Sequence, residues 1–126
     1  MSAPRRRRRP AELTAEQYRA ESTSEQQVQD KLTDWVTLRG GLWAHVRDSR
    51  GTATEGLPDV VAVVPALGLL LLVECKDEKG QLRELQVQWL QALEQVHTKA
   101  SGVVRPSTID QFLDDCEAQG ADPAGE

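Results

Sequence analysis

Histidine and cysteine are scarce in this chain, with two of each among 126 residues. Neither Cys75 nor Cys116 lies in a C-x-x-C pair, so a zinc site has little support. Aromatic residues are few as well, three tryptophans, one tyrosine and one phenylalanine. A core must therefore come from leucine, valine, alanine and the tryptophans. Long apolar runs are missing. The stretch Val60–Val73 is interrupted by Pro65 and Gly68 and falls short of the roughly 20 apolar residues of a spanning helix. The arginine run Arg5–Arg9 is followed by no apolar segment, which argues against a secretory signal. The cytoplasm is the expected location, and free buried thiols are favoured there over a disulfide.

An excess of positive charge is also lacking, since the formal net charge is −5. Its distribution says more than its sum. Arg5–Arg9 hold five of the 15 basic residues, while the final stretch Gln111–Glu126 carries Asp114, Asp115, Glu117, Asp122 and Glu126 and no base. The chain thus reads as a basic tail, a mixed body and an acidic tail. Local patches decide nucleic-acid contact, so the net sign excludes little. Residues 1–23 read as a disordered or loosely helical basic tail, residues 24–118 as one domain and residues 119–126 as a flexible acidic end. The arginines are either a solvated tail or a non-specific attraction for phosphate.

Ser24 and Gln27 form an S-x-x-Q capping box opening a helix over Glu25–Arg39. Its apolar stripe is Val28, Leu32, Trp35 and Val36, and Gly40-Gly41 ends it. Leu42–Arg47 reads as a strand with Trp43, His45 and Arg47 on one face, followed by a polar loop. Asp59–Val64 and Leu69–Lys76 are two apolar strands joined by a turn at Pro65–Gly68. A second amphipathic helix spans Gln81–Val96, with Leu82, Leu85, Trp89, Leu93 and Val96 on its stripe. Gly102–Arg105 is a short strand and Thr108–Ala118 a terminal helix with Ser107 as N-cap. The order predicts an α/β domain, a mixed four-stranded sheet flanked by helices.

If Ala66-Leu67 is the tip of the hairpin, Asp59 faces Glu74. Directly opposed residues place their Cβ atoms about 4.5–5.5 Å apart, and two carboxylates there repel. A divalent cation with hard oxygen ligands, magnesium or manganese, would offset the repulsion. Glu74 and Lys76 share a strand face, with Cys75 on the other as a small core residue. An ammonium beside the carboxylates suits orientation and electrostatic stabilisation better than proton abstraction. A structural salt-bridge network at the sheet end is the competing reading. Glu25 lines up with Val28 and Leu32, and Gln86 lies between Leu82 and Trp89. Inward polar groups need partners, and a polar site at the strand ends would supply them. Each has a plainer reading too: Glu25 as a charge at the helix N-terminus, Gln86 as a satisfied interior amide.

The set Gly56-Leu57-Pro58-Asp59, Val73-Glu74-Cys75-Lys76, Gly80-Gln81-Leu82 and Gln86 resembles the PD-(D/E)XK nuclease signature. Within that superfamily it is most similar to the VRR-NUC (virus-type replication-repair nuclease) family. Glu25 matches its first-helix glutamate, and Val103–Ser107 resembles its last strand. The resemblance covers roughly Ser24 to Leu113. It implies a restriction-endonuclease-like core and magnesium-dependent hydrolysis of DNA, with manganese as a possible substitute. Asp59, Glu74 and the backbone carbonyl of Cys75 would hold the ion. Glu25 would complete the acidic cluster for a second one. Lys76 would position the attacking water, and Gln86 would orient Lys76 or a water. The implied partner is DNA, branched DNA such as a Holliday junction in particular, and the implied state is a homodimer with no membrane association. If the chain is phage-encoded, the cytoplasm is the host's. Arg47, Arg50, Lys79 and Arg83 are candidates to meet phosphates at the rim, or else ordinary solvated charges. Two alternatives remain beside the junction endonuclease: a general or nicking endonuclease of replication or packaging, and a non-catalytic DNA-binding module on a nuclease scaffold.

Overall fold

Alternation along two central strands decides the layout. In β2 (Val60–Val64), Val60, Ala62 and Val64 are buried while Val63 is exposed. In β3 (Leu69–Cys75), Leu69, Leu71, Val73 and Cys75 are buried and Leu70 is exposed. The buried set faces two helices, α2 (Glu25–Leu38) and α4 (Ile109–Ala121), which supply Val28, Leu32, Trp35, Val36, Ile109, Leu113 and Cys116 to one core. Our computed structural model describes residues 13–46, 54–96 and 100–121. The arginine run, Arg47, Arg50 and the last acidic residues lie outside them.

The sheet is four-stranded, in the order β1-β2-β3-β4. β1 (Leu42–His45) and β3 each pair antiparallel with β2, and β4 (Ala100–Val104) pairs parallel with β3. The mixed α/β arrangement is as the sequence predicts, and the hairpin register is too: Val60 opposes Val73 and Val64 opposes Leu69. The parallel pair needs a crossover, and α3 (Glu84–Leu93) provides it.

Several boundaries differ from the sequence reading. A defined helix, α1 (Ala15–Ser22), lies in the stretch read as a disordered or loosely helical tail; Thr14 and Gln17 close a capping box at its start. It buries no side chain, which is why apolar periodicity gives no sign of it. The strand expected over Leu42–Arg47 ends at His45, although the Val46 N–H still donates to the Asp59 carbonyl at 2.7 Å. α3 starts at Glu84 rather than Gln81, because the Gln86 side chain takes the Arg83 N–H at 2.8 Å and caps the helix there. Ser107 is not the N-cap expected of it: its hydroxyl donates to Glu78 at 2.7 Å. α4 continues to Ala121, beyond the expected end at Ala118.

The α2 terminus is a Schellman motif. Gly40 N–H bonds the Thr37 carbonyl, Gly41 N–H bonds the Val36 carbonyl, and Gly40 takes a φ of 71°. A Cβ on Gly41 would stand 2.6 Å from the Val63 carbonyl oxygen. The two glycines therefore let the chain turn tightly from α2 onto the sheet edge.

Candidate active site

Asp59 follows directly on a tight approach. Gly56 has a φ of 83°, and a Cβ there would lie 2.6 Å from Cγ of Leu85. The loop before Asp59 thus packs against the first turn of α3, and Pro58 is fully buried beside it. Asp59 itself is 7% exposed, and its Oδ1 accepts the Cys75 backbone N–H at 2.9 Å. One step beyond the Val60–Val73 pair, it opposes Glu74 across the hairpin.

Glu74 shares a face with Leu70 and Leu72, away from the main core, and is nonetheless 4% exposed. Its Oε2 accepts a hydrogen bond from Gln86 Nε2 at 3.2 Å and lies 3.9 Å from Lys76 Nζ. Its Oε1 is buried with no hydrogen-bond partner. Gln86, 3% exposed, is fixed at both ends, since its Oε1 accepts the Arg83 N–H. That bond sets which way the amide faces and aims its NH2 at the carboxylate. Cys75 is buried in the core on the opposite strand face, and both cysteines are free thiols.

Burial dominates the electrostatics of this group. It raises the Glu74 carboxyl to about 8, with Asp59 and Glu25 adding to the rise and Lys76 opposing it. Asp59 is raised by burial and by Glu25, against the Cys75 N–H and the charge of His45, which pull it down. The Cys75 thiol is pushed far up by burial and by the same acids. Glu25 and His45 therefore lie near enough for a charge on either to be felt at the site. Glu25 is exposed at the first position of α2, so the inward stripe begins at Val28 and not at Glu25 as the sequence suggested.

A hard divalent cation suits two of these observations. The donors are carboxylate oxygens, and one of them is a buried oxygen with no partner. A positive charge would also reverse the penalty that holds both acids up. Among the described residues, no three histidine, cysteine, aspartate or glutamate side chains form a group able to hold an ion. Magnesium commonly takes only one or two carboxylates and completes its shell with water and substrate phosphate.

The basic candidates fall into two groups. Lys79 lies in the turn after β3, 3.5 Å from Glu21 of α1, and is largely exposed. Arg83 is half-buried at the N-terminus of α3. Arg47 and Arg50 lie outside the described residues. None of the described helices is long and apolar enough to cross a membrane. The chain matches no family model, no curated protein and no solved structure.

Proposed function

We propose that this protein is a magnesium-dependent DNA endonuclease built on a restriction-endonuclease-like core. The observation that carries the reading is the pair of buried, opposed acids, Asp59 and Glu74, with an unpartnered Glu74 oxygen and the Lys76 ammonium beside them. A salt-bridge network built for stability would leave no buried carboxylate oxygen empty, because that costs free energy with no return. Manganese would substitute for magnesium, as the oxygen donors favour neither strongly.

Asp59, Glu74 and the Cys75 carbonyl would hold the ion, with Glu25 close enough to add negative charge. When bound, magnesium would polarise a phosphoryl oxygen and acidify a water. The chain's own groups do the rest. The Cys75 N–H fixes one Asp59 oxygen, and Gln86 fixes one oxygen of Glu74, so the other oxygens are directed without further ordering. Lys76 sits within reach of the same face and stabilises negative charge growing on the phosphate while orienting the attacking water. Lys79 and Arg83, with Arg47, Arg50 and the arginine run, would contact the DNA backbone.

Branched DNA such as a Holliday junction is the proposed substrate, the cytoplasm (the host's, for a phage-encoded chain) the proposed location, and a homodimer the proposed working form. One site reaches one scissile phosphate, and paired symmetric cuts need two. The open sheet face supports pairing: Leu42, Val63 and Leu70 are exposed there, and Leu85, Trp89 and Val96 are exposed along and just beyond α3. Apolar surface of this kind suits protein better than phosphate.

The test is cleavage of plasmid and four-way junction with magnesium and with chelator. We expect magnesium-dependent cutting, with the junction preferred. Light scattering should report twice the 13.9 kDa chain mass, and excess Glu74→Gln mixed with wild type should leave junctions nicked on one strand. Preference for plasmid would move the function to general nicking. Binding without cutting in any divalent ion would leave a DNA-binding module.

A further inference from the structure

The backbone carbonyls of the turn that follows Lys76 converge on one side chain. Arg105, directly after β4, donates from Nη1 to three backbone carbonyls, those of Asp77 at 2.8 Å, Glu78 at 3.2 Å and Gly80 at 2.9 Å. Three carbonyls converging on one point resemble a small cation site, and the guanidinium fills it. A second clasp faces the other way. The Glu78 carboxylate accepts both the Ser107 N–H at 3.1 Å and the Ser107 hydroxyl at 2.7 Å. A further bond lies just before, where the Lys76 N–H donates to the Val104 carbonyl at 3.1 Å. Residues 104–107 thus grip residues 76–80 at several points.

This grip reaches the Lys76 side chain through Gly80. A Cβ on Gly80 would stand 3.2 Å from Cδ of Lys76 and 2.8 Å from Oδ1 of Asp77. The lysine stem therefore runs across the bare Cα of Gly80, whose carbonyl Arg105 holds. A long lysine stem has many rotamers, and ordering it costs entropy. Packing on a fixed backbone removes that freedom in advance.

We propose that Arg105 is a positioning residue: by fixing the Asp77–Gly80 turn it sets the Lys76 ammonium beside Glu74, where it meets the phosphate. The inference rests on the nuclease reading for its chemistry and on the contacts above for its mechanics. The Arg105 Nη1 serves the chain's own carbonyls, so this arginine is not counted among the DNA-contacting residues.

The experiment uses the full-length protein with Arg105→Gln, Arg105→Lys and Gly80→Ala, and three readouts. Backbone hydrogen exchange of Arg105→Gln should quicken at least tenfold over residues 77–80 and stay unchanged in β2 and the first half of β3. Single-turnover cleavage at saturating magnesium and DNA should fall ten- to a hundredfold, the range for misplacing a reacting group by about 1 Å. The KM and the salt slope of DNA binding should not move. Arg105→Lys should retain more of the rate than Arg105→Gln, and millimolar methylguanidinium should restore part of it to Arg105→Gln. Gly80→Ala should lower the rate with Arg105 in place. A wild-type rate in Arg105→Gln overturns the proposal. So does a salt slope reduced by about 0.9, the mark of one phosphate no longer neutralised. If the wild type cuts no DNA, it is the nuclease reading that fails, and unchanged exchange over residues 77–80 would then overturn the mechanical link as well.

Discussion

Asp59 Oδ1 accepts the backbone N–H of Cys75 at 2.9 Å, and this bond ties the start of β2 to the end of β3 where the second acid stands. An asparagine could keep it through its own oxygen, and a glutamine at position 74 could keep the bond from Gln86. Asp59→Asn and Glu74→Gln should therefore fold normally. Each removes one of two repelling acids, so melting temperatures in chelator should hold or rise. Cleavage should fall on the order of a thousandfold or more, corresponding to several kcal/mol of lost charge stabilisation. Magnesium-dependent cutting retained by both variants would exclude this site.

The raised Glu74 carboxyl makes stability depend on pH. Its folded value, about 8, lies above the ordinary 4.5, so the folded protein holds the proton more tightly than the unfolded chain. That contribution is fully present below about pH 4.5 and is lost as pH rises through about 8, a change on the order of 5 kcal/mol over the whole range. Asp59 is raised too and acts in the same sense. Urea melts in chelator should show the metal-free protein less stable at pH 9 than at pH 6. Glu74→Gln should flatten most of that slope.

Gly56→Ala should destabilise the fold by about 1–3 kcal/mol, through both the positive φ and the overlap with Leu85. The new methyl would also push the loop carrying Pro58 and Asp59 off α3. Denaturant midpoints measure the first effect. A rate lowered at temperatures where the variant is fully folded measures the second, and a rate equal to wild type would show that this packing does not set Asp59.

Deleting Met1–Pro10 should weaken DNA binding and spare the intrinsic rate at saturating DNA. The log–log salt slope should fall by about 0.9 for each phosphate that the arginines no longer neutralise. A slope equal to wild type would leave the arginines as a solvated tail.

The hairpin is legible in the sequence because its signals are redundant. Two apolar runs with a Pro–Gly turn make a hairpin, and the register with Ala66-Leu67 at its tip brings Asp59 opposite Glu74. Gln86 is legible because an amide in an apolar stripe must find a partner. The same logic misleads at Glu25: it stands in line with Val28 but at the first helical position, where the chain has not yet reached the core. Helix α1 has no apolar stripe to read. Nor can the role of Arg105 be read locally, since its partners lie 25 to 28 residues away. Ser107 looks like an N-cap because its competitor for the hydroxyl, Glu78, is equally remote in sequence.

The strand order also governs when the acids meet during folding. β2 and β3 are neighbours along the chain, whereas β4 reaches β3 only after the α3 crossover. Closing the short loop costs less entropy, so the hairpin is expected to form first. Asp59 and Glu74 are then brought together before the crossover helix delivers Gln86 and before β4 receives the Lys76 N–H. On that order their repulsion would fall on the early part of the pathway and would slow folding more than it hastens unfolding. If the site takes a divalent cation as proposed, cations in the medium would then speed this chain to its native state as well as hold it there.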